Sequence, residues 1–302
     1  MSRNLAFRII VAVIFGPAII WIGYQGGWWL MGMVMLFALV GLAEFLYAEK
    51  YRPNRPVFWL SLMTIAILLL VFSQIAPKTV QAYHMMKMMG QENAAAVPLA
   101  SFTPVFLILF LFFAVSGMLF ALGRRSPGEL LTSQSRLWWG LSYIGLLYPF
   151  VYLLGRVMDA QSDIPVSGGD SLLFLFGVLW LGDTTAMGVG RWLGKRKLAP
   201  TVSPNKTVAG FVGGLLGAVV IAVIMIFWLF RNIPWYHVLI VAVGCSLFGQ
   251  LGDLVESMWK RSVGVKDSSA IIPGHGGVLD RFDSLLFAAP FMCLYFTFAL
   301  LP

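Results

Sequence analysis

Residues 209–230 read A-G-F-V-G-G-L-L-G-A-V-V-I-A-V-I-M-I-F-W-L-F and decide the fold class, because this run carries no charged residue. A run of about 20 apolar residues is long enough to cross the hydrocarbon core of a bilayer as a helix. Gly210 and Gly214 are four residues apart, as are Gly213 and Gly217, and small residues at this spacing let helices approach closely in lipid. The run therefore predicts a membrane-spanning helix that packs tightly against others.

Similar apolar runs extend along the whole chain of 302 residues, of which 59% are hydrophobic and only 11% charged. Soluble domains carry about 25% charged residues, so the composition excludes an ordinary soluble enzyme, and its hydrophobicity excludes a disordered chain. The two cysteines, Cys245 and Cys293, lie in apolar runs and predict neither a disulfide framework nor a cysteine-type zinc site. We predict an all-α polytopic membrane protein with about nine transmembrane helices, near residues 6–24, 28–47, 57–76, 103–122, 138–156, 171–193, 209–230, 235–256 and 282–301.

The basic residues predict how these helices are oriented. The net charge is +8, from 21 Lys and Arg against 13 Asp and Glu, and the membrane surface explains this balance more simply than nucleic acid does. With nine spans, the N-terminus and the even-numbered loops carry 17 basic residues and the other side carries 4. Because cytoplasmic loops collect Lys and Arg, we predict a cytoplasmic N-terminus and an external C-terminus.

Acidic residues within or beside the apolar runs are the first candidates for chemistry. Asp253 and Glu256 are three residues apart, as are Asp280 and Asp283, and residues at this spacing share one helix face. Ionisable groups are expensive in a membrane and usually face a partner or a water-filled cavity. Oxygen-only clusters suit Mg²⁺, Ca²⁺ or Mn²⁺, so these carboxylates are candidate metal ligands. The alternative is that neighbouring basic residues neutralise the carboxylates as ion pairs, namely Lys260, Arg261 and Arg281.

Two further acidic residues lie in apolar runs. Asp183 belongs with the candidates above, whereas Glu44 is solitary, and we predict for Glu44 a structural contact between helices rather than a role in the site.

Two loops on the predicted cytoplasmic side suit phosphate binding. Residues 191–206 are basic and run directly into the seventh span, where Ser203 is a candidate cap and Lys206 lies near the helix start; helix N-termini bind anions well. Residues 273–277 read P-G-H-G-G before the last span, and glycines allow backbone amides to surround a phosphate. His275 within this turn would contact a phosphate, transfer a proton, or only hydrogen-bond the turn.

Residues Ser257–Asp283 read S-M-W-K-R-S-V-G-V-K-D-S-S-A-I-I-P-G-H-G-G-V-L-D-R-F-D. This segment resembles the signature of the phosphatidate cytidylyltransferase (CDP-diacylglycerol synthase) family, and the preceding G-D-L-V-E and the block from Gly182 to Gly214 are also similar to it. The resemblance covers about the last 125 residues. The chain departs from the family pattern at Met187 and Val208, where the family often has aromatic residues; both departures concern lipid fit or helix packing rather than the reaction type.

The resemblance implies that CTP and phosphatidic acid react to give CDP-diacylglycerol and pyrophosphate in phospholipid biosynthesis. It implies Mg²⁺ as the cofactor and leaves open whether a second cation takes part. It implies catalytic roles for Asp253, Asp280, Asp283, Lys266 and His275. It implies substrate binding by Ser203, Lys206, Lys260, Arg261, Gly276, Gly277, Arg281 and Asp183. The metal ligands it implies are Asp253, Asp280, Asp283 and Glu256.

The same resemblance divides the chain into two regions. Residues 1–156 would form an N-terminal region of about five helices, and residues 157–302 a catalytic region of about four helices with cytoplasmic loops 194–208 and 257–281. The expected partners are CTP and phosphatidic acid in the bilayer, without nucleic acid, and a homodimer is left open. The first apolar run is too long for a signal peptide and lacks a following cleavage site, so we expect an integral protein of a bacterial inner membrane with its site facing the cytoplasm.

The sequence alone leaves two alternatives to this reaction open. A transporter or channel also uses intramembrane carboxylates and glycine-broken helices, but the second half of the chain does not obviously repeat the first, and the unusual residues crowd one face. The nearer alternative is another CTP-dependent lipid enzyme, with a different lipid acceptor or a kinase reaction.

Overall fold

The computed structural model describes residues 3–90, 107–108, 110–112, 114–116, 127–157, 166–272 and 276–300, and the described chain is mostly helical. The helices before the middle of the chain are α1 (Arg3–Gln25), α2 (Gly27–Ala48) and α3 (Pro56–Met88). The later helices are α4 (Pro127–Val157), α5 (Gly168–Leu193), α6 (Val208–Trp228), α7 (Trp235–Ser262) and α8 (Leu279–Tyr295), which continues as a π-helical turn over Phe296–Leu300. A two-stranded antiparallel hairpin, β1 (Lys197–Ala199) and β2 (Ser203–Thr207), connects α5 to α6.

Seven of the described helices, α2 to α8, are long and apolar enough to cross a membrane. The predicted all-α membrane architecture is therefore confirmed in its coarse form. Eight of the nine predicted spans coincide with described helices, although the apolar part of α1, Val13–Gln25, is shorter than the others. The predicted span 103–122 falls largely outside the described residues, so the count of nine stays a prediction, as does the orientation of the termini.

Close packing of α6 against α5 confirms the prediction from the glycine spacing. These two helices make the most extensive helix–helix contact of the described chain. A Cβ on Gly210 would lie 2.7 Å from the carbonyl oxygen of Ala186, and a Cβ on Gly213 would lie 2.7 Å from Cβ of Val189. Glycine is therefore needed where the backbones meet, because any side chain would push the helices apart.

Contacts between loops bring several helix ends to one end of the bundle. Tyr51, after α2, donates from its hydroxyl to the carbonyl of Ser133 in α4 at 3.2 Å. Trp259 of α7 donates from Nε1 to Oε1 of Glu49 at 3.1 Å. Arg261 donates from Nε to the carbonyl of Val202 in the hairpin at 3.3 Å. These segments belong to the loops that the basic-residue count predicts to be cytoplasmic.

The hairpin corrects one expectation about the loop 194–208. Ser203 is paired with Ala199 at the start of β2 rather than capping a helix. The residue before a proline is driven toward extended backbone, and Pro204 follows Ser203. Thr207 is the N-cap of α6 instead, and its Oγ1 accepts a hydrogen bond from the backbone N–H of Gly210 at 3.1 Å.

Candidate functional site

A cavity of about 760 Å³ lies between α5, the hairpin, α6 and α7. Its polar lining combines carboxylates of two spans with cations of α5 and the hairpin: Asp183, Asp253, Arg191, Lys197 and Lys206. Apolar side chains line it as well: Met187, Leu198 and Phe211. A cavity with charged and apolar parts at the ends of membrane-spanning helices suits an amphiphilic ligand that carries phosphate.

Lys206 and Asp253 form the central ion pair of this cavity. Nζ of Lys206 in β2 lies 2.7 Å from Oδ2 of Asp253 in α7. Ser257, one turn further along α7, donates from Oγ to Oδ1 of Asp253 at 3.3 Å. Both side chains of the pair remain partly exposed, at 25% and 33%, so a ligand phosphate in the cavity can reach the ammonium group.

A second group of charges is buried beside Asp253 and does not line the cavity. Nζ of Lys260 lies 2.7 Å from Oδ1 of Asp280 and 3.3 Å from Oε1 of Glu256. The neutralising ion pair that the sequence left open is therefore present for Lys260. Arg261 makes no such pair with any described residue, and its guanidinium donates to the backbone carbonyls of Val202 and Val265.

The carboxylate of Asp280 is turned into the loop that precedes α8. Its Oδ2 accepts from the backbone N–H of Ser268 at 2.8 Å, from Oγ of Ser268 at 2.9 Å and from the backbone N–H of Gly277 at 2.8 Å. Its Oδ1 is paired with Lys260. Because both oxygens already have protein donors, Asp280 does not present its carboxylate to the cavity as the spacing with Asp283 predicts.

Asp283, one turn into α8, lies within electrostatic range of both Asp253 and Asp183. Carboxylates of α5, α7 and α8 therefore lie within electrostatic range of one another, whereas Asp280, one of the four carboxylates whose spacing predicts convergence, is turned into the loop. Such a cluster of like charges is unfavourable without cations, and Lys206 lies within electrostatic range of Asp183 as well.

The oxygen-rich chemistry of this region fits a hard divalent cation. Among the described residues, Oε2 of the buried Glu256 has no hydrogen-bond partner, and Oε1 has only the ion pair with Lys260 at 3.3 Å. The buried hydroxyls of Tyr143 and Tyr148 on α4 have no hydrogen-bond partner within the same residues. Within the described residues, no three His, Cys, Asp or Glu side chains form a ready-made metal cluster. Mg²⁺ usually takes only one or two carboxylates and completes its shell with water and substrate phosphates, which agrees with this arrangement.

The remaining predicted site residues fall at several places. Lys266 and Arg281 are exposed, and Arg281 lies within electrostatic range of Asp183. Gly276 has a φ of 81°, which favours glycine, whereas the amide of Gly277 is already used by Asp280. His275 lies outside the described residues.

Sequence reasoning missed several residues that line the cavity or organise the site. Asn205, Thr207 and Gln250 line the cavity; Gln250 is detectable in principle, because it lies three residues before Asp253 on the same face of α7. Glu44 contacts a second helix as the sequence predicts, because it accepts from the backbone N–H of Leu279 at the start of α8. Its carboxylate also accepts hydrogen bonds from the loop before α8, which the sequence does not predict.

A sequence model of the Cytidylyltransferase family matches residues 6–299, nearly the whole chain. The chain belongs to the cytidylyltransferase family. Among curated proteins, the chain is 46% identical to a phosphatidate cytidylyltransferase of Staphylococcus saprophyticus over 152 residues, which are 50% of this chain and 55% of the relative. It is 43% identical to the phosphatidate cytidylyltransferase of Staphylococcus aureus over the same share of both chains. Each alignment thus spans about half the length of the curated relative.

Family membership places the cavity in a chemical context. The cavity of this member of the family offers cations on the hairpin opposite carboxylates on membrane-spanning helices. The family resemblance read from the C-terminal motifs is therefore confirmed over a much longer part of the chain than those motifs cover.

Proposed function

We propose that the chain is a phosphatidate cytidylyltransferase, which converts CTP and phosphatidic acid to CDP-diacylglycerol and pyrophosphate. The observation that carries this proposal is the cavity at the ends of α5, α6 and α7, where Lys206 and Asp253 stand beside Met187 and Phe211. A water-soluble triphosphate needs the cations, and a lipid head group needs apolar surface next to them. The family and the printed names of the staphylococcal relatives support the same reaction.

In the proposed reaction, a phosphate oxygen of phosphatidic acid forms a bond to the α-phosphorus of CTP. The bond from that phosphorus to the oxygen bridging the β-phosphate breaks, and pyrophosphate leaves with the electron pair. The phosphate monoester is already anionic near neutral pH, so the site does not need a strong general base. The main barrier is the repulsion between two anions and the charge on the leaving group, which positioned cations reduce.

Lys206 is the cation best placed to bind the triphosphate. It lies on the short hairpin and is held by Asp253, and it exchanges this partner for a phosphate oxygen when CTP enters. Arg191 and Lys197 line the same cavity and add positive charge for the outer phosphates. Arginine forms bidentate hydrogen bonds to phosphate, whereas lysine acts as a point charge.

We propose that Mg²⁺ is held by Asp253 and Asp283, with Asp183 and Glu256 as the nearest further carboxylates. When bound, it would neutralise phosphate charge and support departure of pyrophosphate. Asp280 already satisfies its oxygens with Lys260, Ser268 and Gly277. We therefore assign Asp280 to holding the loop and the first turn of α8 rather than to the metal.

The proposed setting is a bacterial inner membrane with the cavity open to the cytoplasm, where CTP is found. The loops that meet at the cavity end of the bundle are those richest in Lys and Arg, which supports this orientation. The two substrates then meet at the interface, with the nucleotide entering from water and the lipid from the bilayer.

Product mass tests the proposal against the nearer alternative of a different CTP-dependent reaction. Purified protein in mixed micelles of detergent and lipid is supplied with phosphatidic acid, CTP and Mg²⁺, and the lipid phase is analysed by mass spectrometry. The proposal predicts a cytidylyl adduct of phosphatidic acid. A lipid that gains a single phosphate would identify a kinase, and unchanged lipid with folded protein would contradict any transfer to this acceptor.

A further inference from the structure

The buried carboxylate of Glu44 lies in the predicted N-terminal region, yet its partners lie at the other end of the sequence. Glu44 is on α2 and is only 2% exposed. Its oxygens accept from Oγ of Ser268 at 3.0 Å, from Oγ of Ser269 at 2.6 Å, and from the backbone N–H groups of Val278 and Leu279, each at 2.9 Å. Within the described part of the chain, no Lys or Arg forms an ion pair with it.

All four donors belong to the described residues between α7 and α8, 263–272 and 276–278, which we call the α7–α8 loop, or to the first residue of α8. Two of them are backbone amides at the start of α8, where amides point out of the helix and the helix dipole favours a negative charge. The carboxylate of Glu44 therefore caps the N-terminus of α8, although it belongs to a different helix. The N-cap residue Val278 itself makes no side-chain cap hydrogen bond.

The same loop is held from its other side by Asp280. The hydroxyl of Ser268 stands between the two carboxylates, 3.0 Å from Oε2 of Glu44 and 2.9 Å from Oδ2 of Asp280. At Gly277, a Cβ would lie 2.6 Å from Oε2 of Glu44 and would overlap Oγ of Ser268. Gly277 is thus required for close approach of the loop to Glu44, and the loop fits tightly around two anionic centres.

We propose that Glu44 is a positioning residue for the transfer reaction, a role that rests on the function proposed above. Its carboxylate fixes the α7–α8 loop and the start of α8, and through them the carboxylate of Asp283. Asp283 lies one turn beyond Leu279, whose amide Glu44 binds. Lys260 forms an ion pair with Asp280, which lies in the same first turn of α8. A displacement of about 1 Å at a reacting group can reduce the rate by about 10²-fold.

A carboxylate is needed for this contact because all four partners are donors. Backbone N–H groups cannot rotate away, and Val278 and Leu279 donate to different oxygens of Glu44. Glutamine at this position has the same shape, but it offers only one acceptor oxygen and places an NH₂ group against one of the two amides. Glu44→Gln therefore removes one backbone hydrogen bond and leaves a buried donor without a partner.

The test compares Glu44→Gln with Glu49→Gln in steady-state assays on the purified, folded protein. Glu49 follows α2 directly and its side chain is also buried, but its partners are Trp259 and Arg136 rather than the α7–α8 loop. We expect Glu44→Gln to lower kcat by about 10- to 100-fold and to change KM for CTP by less than about twofold, because the cavity is formed by other elements. We expect Glu49→Gln to keep the kcat of the unsubstituted protein. A folded Glu44→Gln protein with unchanged kcat would overturn the proposal.

Milder variants keep the proposal testable if Glu44→Gln does not fold. Ser269→Ala removes the 2.6 Å hydrogen bond to Glu44 and the 3.2 Å hydrogen bond that Oγ of Ser269 accepts from the backbone N–H of Ile271. We expect kcat to fall several-fold at constant KM. Where both single variants fold, the loss of kcat in the double variant should be smaller than the product of the two single losses, because both changes weaken the hydrogen bonds of the same side chain. Unchanged kcat in Ser269→Ala, or additive losses in the double variant, would contradict the proposed role.

Hydrogen exchange separates failure of this proposal from failure of the proposed function. Glu44→Gln should accelerate exchange of the amides of Val278 and Leu279, and Glu49→Gln should not. This measurement does not depend on turnover, so it remains informative even if the unsubstituted protein transfers nothing to phosphatidic acid. Equal exchange of these amides in both variants would overturn the positioning role whatever the reaction is.

Discussion

At the scale of single residues, Asp253 and Asp280 are expected to have different roles despite their similar settings in the sequence. Asp253 faces the cavity and shares its charge with Lys206, whereas both oxygens of Asp280 are occupied by loop and helix donors. The structure thus separates a carboxylate available to substrate or metal from one that holds the fold.

Substituting Asp253 or Asp283, the two partly buried carboxylates that we assign to the metal, should lower activity strongly and leave the fold intact. We expect Asp253→Asn and Asp283→Asn each to lower kcat by about two orders of magnitude or more, because a charged ligand for the cation is lost while the shape is kept. Activity and thermal unfolding in detergent are measured on the same preparation. Near-normal turnover in either variant would remove that residue from the site.

Asp280→Asn should act mainly on stability. It breaks the ion pair with Lys260 and leaves that buried ammonium group beside Glu256 alone; removing one partner of a buried pair costs about 3–5 kcal/mol. We expect a clearly lower Tm in detergent, in contrast to Asp283→Asn. An unchanged Tm together with a loss of Mg²⁺-dependent activity would instead assign Asp280 to the metal.

Among single residues, some positions of the site could be predicted from the sequence and others could not. Asp183, Lys206 and Asp253 were identified by their charge in or beside apolar runs, and all three line the cavity. The orientation of Asp280 was not predictable, because its carboxylate is held by the backbone amides of Ser268 and Gly277 in the loop and by Lys260 of α7. The role of Glu44 was not predictable either, since its partners lie more than 220 residues away in the chain.

At the scale of elements, the contact of α5 with α6 forms two walls of the cavity. The glycines of α6 allow the two backbones to meet, and Gly210 itself lines the cavity next to the helix cap Thr207. The sequence predicted this packing because small residues at a spacing of four form a continuous stripe on a helix. It did not predict the hairpin, because a short pair of strands has too few residues to show an alternating pattern.

Gly213→Leu should disturb this contact, whereas Val212→Leu provides a matched control on the same helix. A side chain at Gly213 overlaps Val189, and overpacking a close contact costs about 1–3 kcal/mol. Val212 is 48% exposed and tolerates a larger apolar group. We expect a lower Tm and lower activity for Gly213→Leu only; equal behaviour of both variants would contradict the close contact of α5 and α6.

At the scale of the whole molecule, the hairpin and the segments after α2 and α7 meet at one end of the bundle. Seven candidate spans among the described residues carry these segments, so the fold brings distant parts of the chain to one face. Apolar runs predicted this architecture well, because a span must be long and uncharged. Its direction in the membrane depends on the distribution of Lys and Arg in the loops.

Cysteine labelling tests that direction. A membrane-impermeant maleimide should label Lys195→Cys only from the cytoplasmic side and Arg231→Cys only from outside, because the two exposed positions lie at opposite ends of α6. The native Cys245 and Cys293 are buried and serve as an unlabelled background. Labelling of both positions from the same side would contradict the predicted orientation.

The measurement that tests the central claim most directly follows the α- and γ-phosphates of CTP separately. Protein in mixed micelles receives phosphatidic acid and CTP radiolabelled at one position or the other, with Mg²⁺ or with EDTA. We predict that the α-label enters the lipid and the γ-label appears in pyrophosphate, that both processes stop in EDTA, and that Asp253→Asn is inactive under both conditions. Entry of the γ-label into the lipid, or no transfer of the α-label by folded protein with Mg²⁺, would contradict cytidylyl transfer to phosphatidic acid.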